Sequence, residues 1–300
     1  MNKTILIFSG LILVAANGKC GSPGAQFLKI DTDARLSGMA AAGVAAVHGI
    51  NALAYNPAGM AGMTAPELAF SHTRWLMDSN HDYVGFGMPV TTWGRKTNIG
   101  LGVTRLSSGK FEGRADDGSA NGGYSSYEQA VSLGFGLGNI GGAVKYIQGN
   151  IAGERASTWA VDLGAKKALS KLPVSIGLSV KNLGPGLKYM TQRDDLPLSV
   201  NAGLSVMALP GVMMSVGVNR LVNDKKTVLS AGTEYAMMTG GGLGLALRGG
   251  YGLTEANTDG GKNGLSVGAG VMALGAQLDY AVTPETGLGS VQRITLKKKF

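Results

Sequence analysis

The strongest constraint on the fold is a period-two alternation of large apolar and small residues that recurs along the sequence. Residues 174–181 read VSIGLSVK, so every second residue is a large aliphatic one and the residues between are Ser, Gly or Lys. The same pattern occurs at 159–166, 198–206, 265–271 and 278–283. Successive side chains of a β-strand point to opposite faces, so the pattern predicts strands with one apolar face and one face of small residues.

The composition of the second face separates a soluble fold from a membrane fold. The solvated face of a soluble sandwich normally carries many charged residues, yet charged residues make up only 15% of this chain, against about 25% in soluble domains. In a membrane barrel the apolar residues face lipid and the polar residues face the lumen. We therefore expect an all-β fold, a transmembrane antiparallel β-barrel of about 14 strands. The charged residues expected to face its lumen are Lys145, Asp162, Lys181, Glu234, Arg248, Asp279 and Arg293.

The spacing of the turns predicts this barrel over residues 66–300. Short connections alternate with mostly longer ones, notably 108–125, 184–196 and 254–263, as in outer-membrane barrels. Because the number of strands is even, the first strand begins and the last strand ends on the same side of the membrane, which is expected to be the periplasmic side. The last strand ends on Phe300 and resembles the C-terminal strand of bacterial outer-membrane proteins, which the barrel assembly machinery reads. The chain is expected to contact outer-membrane lipid.

The third strand departs from the alternation at Arg105. Ile99, Leu101 and Val103 share one face, and Arg105 then falls on that same face. Two explanations are open: a β-bulge at this point, or a strand that leaves the bilayer.

The first 65 residues differ from the rest of the chain. Residues 1–18 have the charged start, short apolar run and small-residue end of a secretory signal peptide, which predicts an outer-membrane location after cleavage. Cys20 follows, but Lys19 stands where a lipoprotein signal needs a small residue. Asp33 is placed to cap a helix over 34–47. A fourteen-stranded barrel is too wide for its own side chains to fill, so residues 19–65 are expected to form a helical hatch or plug.

Within this segment the stretches GAQFLKI and NALAYNPAG, with a small-residue helix between them, resemble the PorV/PorQ family of outer-membrane proteins. Those proteins are relatives of FadL, the long-chain fatty-acid channel. The resemblance implies a fourteen-stranded barrel with an N-terminal hatch, in which Asn56, Pro57, Ala58 and Gly59 form the hatch motif. In FadL a kink in the third strand opens a lateral exit to the membrane. The break in alternation at Arg105, also in the third strand, resembles such a kink.

The sequence offers little that suggests an enzyme, a cofactor or a metal site. The three histidines, His48, His72 and His81, lack the spacing of metal ligands or of a nucleophile–base pair. A G-x-G-x-x-G match at 136–141 is followed by a strand and not by the helix that a dinucleotide site needs. The net charge of +8 is scattered and not clustered as in a nucleic-acid binder.

Two functions compete. The PorV/PorQ resemblance implies a non-enzymatic barrel that binds exported proteins or a translocon of type IX secretion, with the long loops as contact surface. The alternative is passive FadL-like transport of hydrophobic small molecules such as long-chain fatty acids. That alternative needs an apolar lumen, and the expected lumen face offers few large apolar residues: Ile147, Met213 and Met272. A structural barrel without cargo is a third interpretation.

Overall fold

The computed structural model describes residues 23–92, 94–114, 118–240, 242–254, 264–285 and 289–300. The predicted signal peptide and Cys20 lie outside these residues. The strands are β1 (Glu67–Arg74), β2 (Asn80–Thr92), β3 (Arg95–Arg114), β4 (Ala120–Leu137), β5 (Ile140–Ile151), β6 (Glu154–Ala168), β7 (Val174–Leu183), β8 (Leu187–Tyr189), β9 (Gln192–Asp194), β10 (Ser199–Leu209), β11 (Val212–Leu221), β12 (Lys226–Met238), β13 (Gly244–Thr254), β14 (Leu265–Ala273), β15 (Ala276–Glu285) and β16 (Gly289–Lys299). Two α-helical turns, α1 (Ala34–Ser37) and α2 (Ala52–Tyr55), and two 3-10 segments, Gln26–Lys29 and Pro57–Gly62, precede them.

Fourteen of the described strands close into an antiparallel barrel, which confirms the predicted fold class. Each strand pairs with its sequence neighbours, except that β7 pairs with β10, and β1 pairs with β16 to close the ring. The excluded pair, β8 and β9, forms a hairpin in the connection between β7 and β10. We call the barrel end that carries this connection the loop end. The opposite end, where the backbone N–H of Phe300 donates to Pro66 O at 3.0 Å, is the turn end.

The two faces of the barrel wall follow the alternation in the sequence. Large apolar side chains such as Phe70, Leu133 and Leu247 are 45%, 62% and 65% exposed on the outer face. Buried small and polar residues alternate with them on the inner face. No helix among the described residues is long and apolar enough to cross a membrane.

β3 does not bulge at Arg105. Its pairing with β4 runs without a shift from Asn98 to Ser107, and the register shifts only beyond Ser107. The side chain of Arg105 is exposed, and its Cζ lies 4.9 Å from the centroid of the Tyr127 ring. The alternation fails because β3 continues to Arg114, past the apolar part of the wall. A wall opening at this point, which the comparison with FadL allowed, is therefore not formed.

The helix predicted over 34–47 is much shorter. Asp33 does cap it, since its Oδ1 accepts the backbone N–H of Arg35 at 2.9 Å, but α1 ends at Ser37. Ala40 and Ala41 adopt left-handed backbone conformations with φ of 52° and 57°. The N–H of Ala41 donates to Leu36 O at 2.9 Å and that of Ala40 to Ser37 O at 3.0 Å, the bond pair of a Schellman C-cap. The chain then winds through turns.

Candidate functional site

The N-terminal segment lies inside the barrel in two parts. We call residues 31–63 the plug and residues 23–30 the mouth segment. The plug contacts strands around the ring: α1 touches β14, β15 and β16, and the segment 57–62 touches β3 to β6. Its largest apolar side chains, among them Leu36, Ile50, Leu53 and Met60, are fully buried.

Glycines on the inner face let the plug backbone lie directly against the wall. A Cβ atom on Gly232 of β12 would lie 2.6 Å from both the Cβ and the carbonyl oxygen of Met39. One on Gly203 of β10 would lie 2.6 Å from a methyl of Val44. These distances are shorter than van der Waals contact, so only glycine fits there. The small residues of the lumen face are thus explained by the plug that they contact.

Asn56 fixes the centre of the plug. Its side chain is fully buried, and its Nδ2 donates to Val44 O at 2.9 Å and to Ala165 O of β6 at 3.1 Å. Its Oδ1 accepts the backbone N–H of Ala58 at 3.2 Å, which caps the 3-10 segment that begins at Pro57. The amide therefore joins two parts of the plug to each other and to the wall. Pro57, Ala58 and Gly59 are buried beside it.

A buried charge network ties α1 to the wall. Arg35 donates from Nε and Nη2 to the two carboxylate oxygens of Glu234, both at 2.8 Å. Arg248 donates to the same Glu234 at 2.6 Å and to Asp279 at 2.8 Å. Gln277 donates to the other oxygen of Asp279 at 2.8 Å. Burial disfavours the charged form of Arg35, but the adjacent Glu234 outweighs it and raises the pKa of the guanidinium.

Arg293 of β16 holds the other side of α1. Its Nε donates to Thr73 Oγ1 at 2.9 Å, and its Nη1 donates to Ser37 Oγ. Thr295, two residues along the same strand, accepts the backbone N–H of Ala34 at 2.9 Å. The first turn of the plug is therefore bonded to β12 on one side and to β16 on the other.

Lys145, Asp162 and Lys181 lie together on the inner face near the loop end. Lys145 Nζ is 2.6 Å from Asp162 Oδ2 and 2.9 Å from Asn182 Oδ1. A β-bulge places both Lys181 and Asn182 of β7 opposite Asp162, whose Oδ1 accepts the N–H of Asn182 at 2.8 Å. The ammonium of Lys181 lies 5.6 Å from the centroid of the Tyr55 ring in the plug.

The mouth segment covers the lumen at the loop end. Phe27 is 1% exposed and packs in a cluster of wall and loop residues. The other buried members of this cluster are Ala25, Ala130, Ile147, Ala156, Ala160, Leu187 and Leu196. Lys29 Nζ is 2.9 Å from Asp224 in the β11–β12 turn, and Gly24 N donates to Asp195 O at 2.8 Å. The chain therefore runs from the loop end, where residue 23 lies, down to the turn end.

Between the mouth segment and the plug lies a cavity of about 290 Å³. Its apolar lining comes largely from the N-terminal segment, with Phe27, Leu28, Ile30, Val44 and Leu53, while the wall adds Tyr83, Ala130 and Val228. Lys145, Lys181 and Asn182 supply polar groups on one side. Analysis of the wall residues alone missed this apolar surface, because it belongs to another part of the chain.

Asp31 and Tyr55 are two of the three ionisable residues of the N-terminal segment that line this cavity, and Lys29 is the third. Burial raises the pKa of the Asp31 carboxyl, although Arg293 and Lys181 act in the opposite direction. Burial also raises the pKa of Tyr55 well above its usual range, and the nearby Asp31 and Asp33 add to this shift. The Tyr55 hydroxyl oxygen accepts the backbone N–H groups of Thr32 and Asp33 at 2.9 and 3.1 Å. Among the described residues, no three His, Cys, Asp or Glu side chains are arranged to hold a metal ion.

Two solved structures with a similar fold are those of toluene transporters. The structure is similar to that of the toluene transporter TodX of Pseudomonas putida, with a TM-score of 0.60, 11% identity, 89% of this chain covered and 96% of that chain. It is also similar to the toluene transporter TbuX of Ralstonia pickettii, with a TM-score of 0.52, 13% identity, and 90% and 99% coverage. No protein-family model and no curated protein matches the sequence. At this identity the likeness shows the fold, a fourteen-stranded barrel like that of the toluene transporters, and gives the PorV/PorQ name no support.

Proposed function

We propose that this protein is an outer-membrane channel that takes up small hydrophobic molecules by passive transport. The observation that carries this proposal is the cavity of about 290 Å³ that lies between the mouth segment and the plug. A ligand that enters from the loop end would rest there on the apolar side chains of Phe27, Leu28 and Ile30 before it moves further.

The size of the cavity fits such a ligand. An apolar cavity of about 150 Å³ can hold a benzene molecule, so a space of about 290 Å³ accommodates a monoaromatic hydrocarbon or a short aliphatic one. Burial of an apolar ligand there is favoured in proportion to the area removed from water. The toluene transporters with the same fold support this class of ligand.

Binding of radiolabelled toluene tests the proposal. Protein in lipid nanodiscs is dialysed against toluene, and empty nanodiscs give the background from lipid. We expect saturable binding that Ala54→Trp abolishes, because Ala54 lines the cavity. The matched control is Ala269→Trp on the exposed outer face of β14. Absence of saturable binding, or equal loss in both variants, contradicts the proposal.

The secretion hypothesis makes a different prediction for the same protein. A carrier of exported proteins would co-purify with stoichiometric secreted proteins or with a translocon, whereas a channel would retain an apolar small molecule. Mass spectrometry of protein extracted in mild detergent distinguishes the two. We expect the small molecule, since the cavity of about 290 Å³ offers it an apolar binding surface.

A further inference from the structure

The lipid-facing side of the wall carries a groove that the transport proposal does not use. It has a volume of about 580 Å³ and crosses β7, β10, β11, β12 and β13. Its side chains are almost all apolar and include Ile176, Leu178, Ala202, Val218, Ala231 and Tyr251. These residues belong to the outward set of each strand, since Val218 and Tyr251 are 44% and 39% exposed.

Two alanines account for the depth of the groove. Ala202 is paired with Leu178 on one side and Val218 on the other, and Ala231 stands in the same way between Val216 and Tyr251. A small residue between two large ones leaves a depression in the surface. The floor is the backbone of Gly177, Gly203 and Gly217, whose inner sides face the plug.

Cations lie directly beyond the groove at the loop end. Arg220 follows Val218 by two residues on β11, so it shares the outer face, and it is exposed. Its Nη1 donates to Thr227 Oγ1 at 2.8 Å and to Lys225 O at 3.1 Å, which fixes the guanidinium beside the β11–β12 turn. These two bonds use one of its nitrogens, and a guanidinium has five N–H donors in all.

The same turn adds positive charge. Lys225 and Lys226 are both exposed. The carboxylate of the turn, Asp224, is engaged by Lys29 of the mouth segment at 2.9 Å and so is partly neutralised. An apolar groove in the lipid-facing wall is thus bordered by a net positive rim, whose Arg and Lys side chains suit a phosphate group.

We propose that this groove is a specific binding site for an anionic phosphorylated lipid, with one acyl chain in the groove and the phosphate at Arg220 and Lys225. Lipid that merely surrounds the barrel would not be selected by its headgroup. A bound lipid of this kind would brace the part of the wall that contacts Val44 of the plug. The proposal is independent of what the channel transports.

Native mass spectrometry tests it with two probes, phosphatidylglycerol and the zwitterionic phosphatidylcholine, added in equal amounts to the full-length protein in detergent. We expect one molecule of phosphatidylglycerol to be retained at least about tenfold more strongly than phosphatidylcholine, given the contribution expected of each basic residue at a membrane surface. Equal retention of the two lipids overturns the proposal.

Two variants separate the headgroup from the chain. Arg220→Gln with Lys225→Gln is expected to abolish the preference for phosphatidylglycerol, and Ala202→Leu with Ala231→Phe is expected to reduce retention of both lipids. The matched control is Lys188→Gln with Arg193→Gln, which removes one exposed Lys and one exposed Arg from the β8–β9 hairpin. An unchanged preference in the first variant, unchanged retention in the second, or an equal effect of the control overturns the proposal. Migration of each variant as a folded barrel in an unheated gel excludes misfolding.

Discussion

Arg35 in the plug and Glu234 in β12 form a bidentate ion pair inside the barrel, with both N···O distances at 2.8 Å. The two residues are 199 positions apart, so this pair fixes a local helical turn to a distant strand. Glu234 also accepts from Arg248, which in turn reaches Asp279. Each charge in this series of ion pairs is therefore balanced by the next, which is the condition under which buried charges are tolerated.

Removal of Arg35 is expected to loosen the plug. Arg35→Met leaves Glu234 with one partner, and breaking a buried pair costs about 3 kcal/mol or more. We expect a lower urea midpoint for plug unfolding and a higher permeability of proteoliposomes to small sugars. The control is Arg114→Met, whose pair with Glu112 is exposed at 3.4 Å and contributes less than about 1 kcal/mol. Equal behaviour of the two variants would show that the network does not hold the plug.

A substitution at Asn56 can test its side-chain hydrogen bonds separately from its size. Asn56→Asp keeps the shape but places an oxygen against the carbonyls of Val44 and Ala165, where Nδ2 now donates. An unsatisfied buried group costs about 1–3 kcal/mol, and more when it is charged, so we expect Asn56→Asp to destabilise the plug more than Asn56→Ala. Limited proteolysis of the plug in the intact barrel measures the effect.

The control for this substitution is Asn150→Asp near the end of β5. There the side-chain oxygen accepts the N–H of Gly153 at 3.2 Å, and a carboxylate preserves that bond. We expect no change in proteolysis. If Asn56→Asp is cleaved no faster than Asn150→Asp, the amide of Asn56 does not join the plug to the wall.

The positions of the strands and the directions of their side chains could be predicted from local sequence, because both follow from the period-two alternation. The alternation in 174–181 assigns Leu178 to the lipid side and Gly177 to the lumen, and the contacts of Gly177 with Val44 agree. The glycines of the inner face also predict a plug, because residues without side chains leave the lumen to be filled by another part of the chain.

The path of the N-terminal segment could not be predicted in the same way. An Ala-rich stretch favours a helix by propensity, but contacts with the wall and the Schellman turn at Ala40 and Ala41 end α1 after one turn. The burial of Phe27 depends on Ala130, Ile147 and Leu187, which come from β4, β5 and β8. Because such a pocket is assembled from distant segments, its occupant cannot be read from periodicity, and the apolar lining of the cavity was missed for this reason.

The close approach of wall and plug predicts a strong effect at Gly232. In Gly232→Val the new Cβ would lie 2.6 Å from Met39, so either the plug or β12 must move. Overpacking of this kind costs about 1–3 kcal/mol. The control Gly249→Val adds the same side chain on the adjacent β13, where a Cβ meets no heavy atom within 4 Å. Urea unfolding of both variants should show destabilisation only for Gly232→Val, and equal midpoints would mean that the plug does not touch the wall there.

The assignment of the outer face to lipid is tested by charge. Leu178 lies near the middle of β7, and Val200 is the second residue of β10, at the loop end. Both are on the outward face, half-buried among neighbouring side chains. A Lys or Arg at the bilayer midplane costs about 2–4 kcal/mol and an Asp somewhat less, and this cost falls toward the interfaces. Leu178→Asp should therefore reduce the fraction of barrel that assembles into membranes, and Val200→Asp, nearer the loop end, should reduce it less. Asn201→Asp adds the same charge one residue from Val200 but at the luminal cavity, and it should assemble normally. The folded fraction is measured from migration in unheated gels after extraction from the membrane. Normal assembly of both outer-face variants would contradict the facing of the whole wall, because a slip of one residue exchanges its two faces.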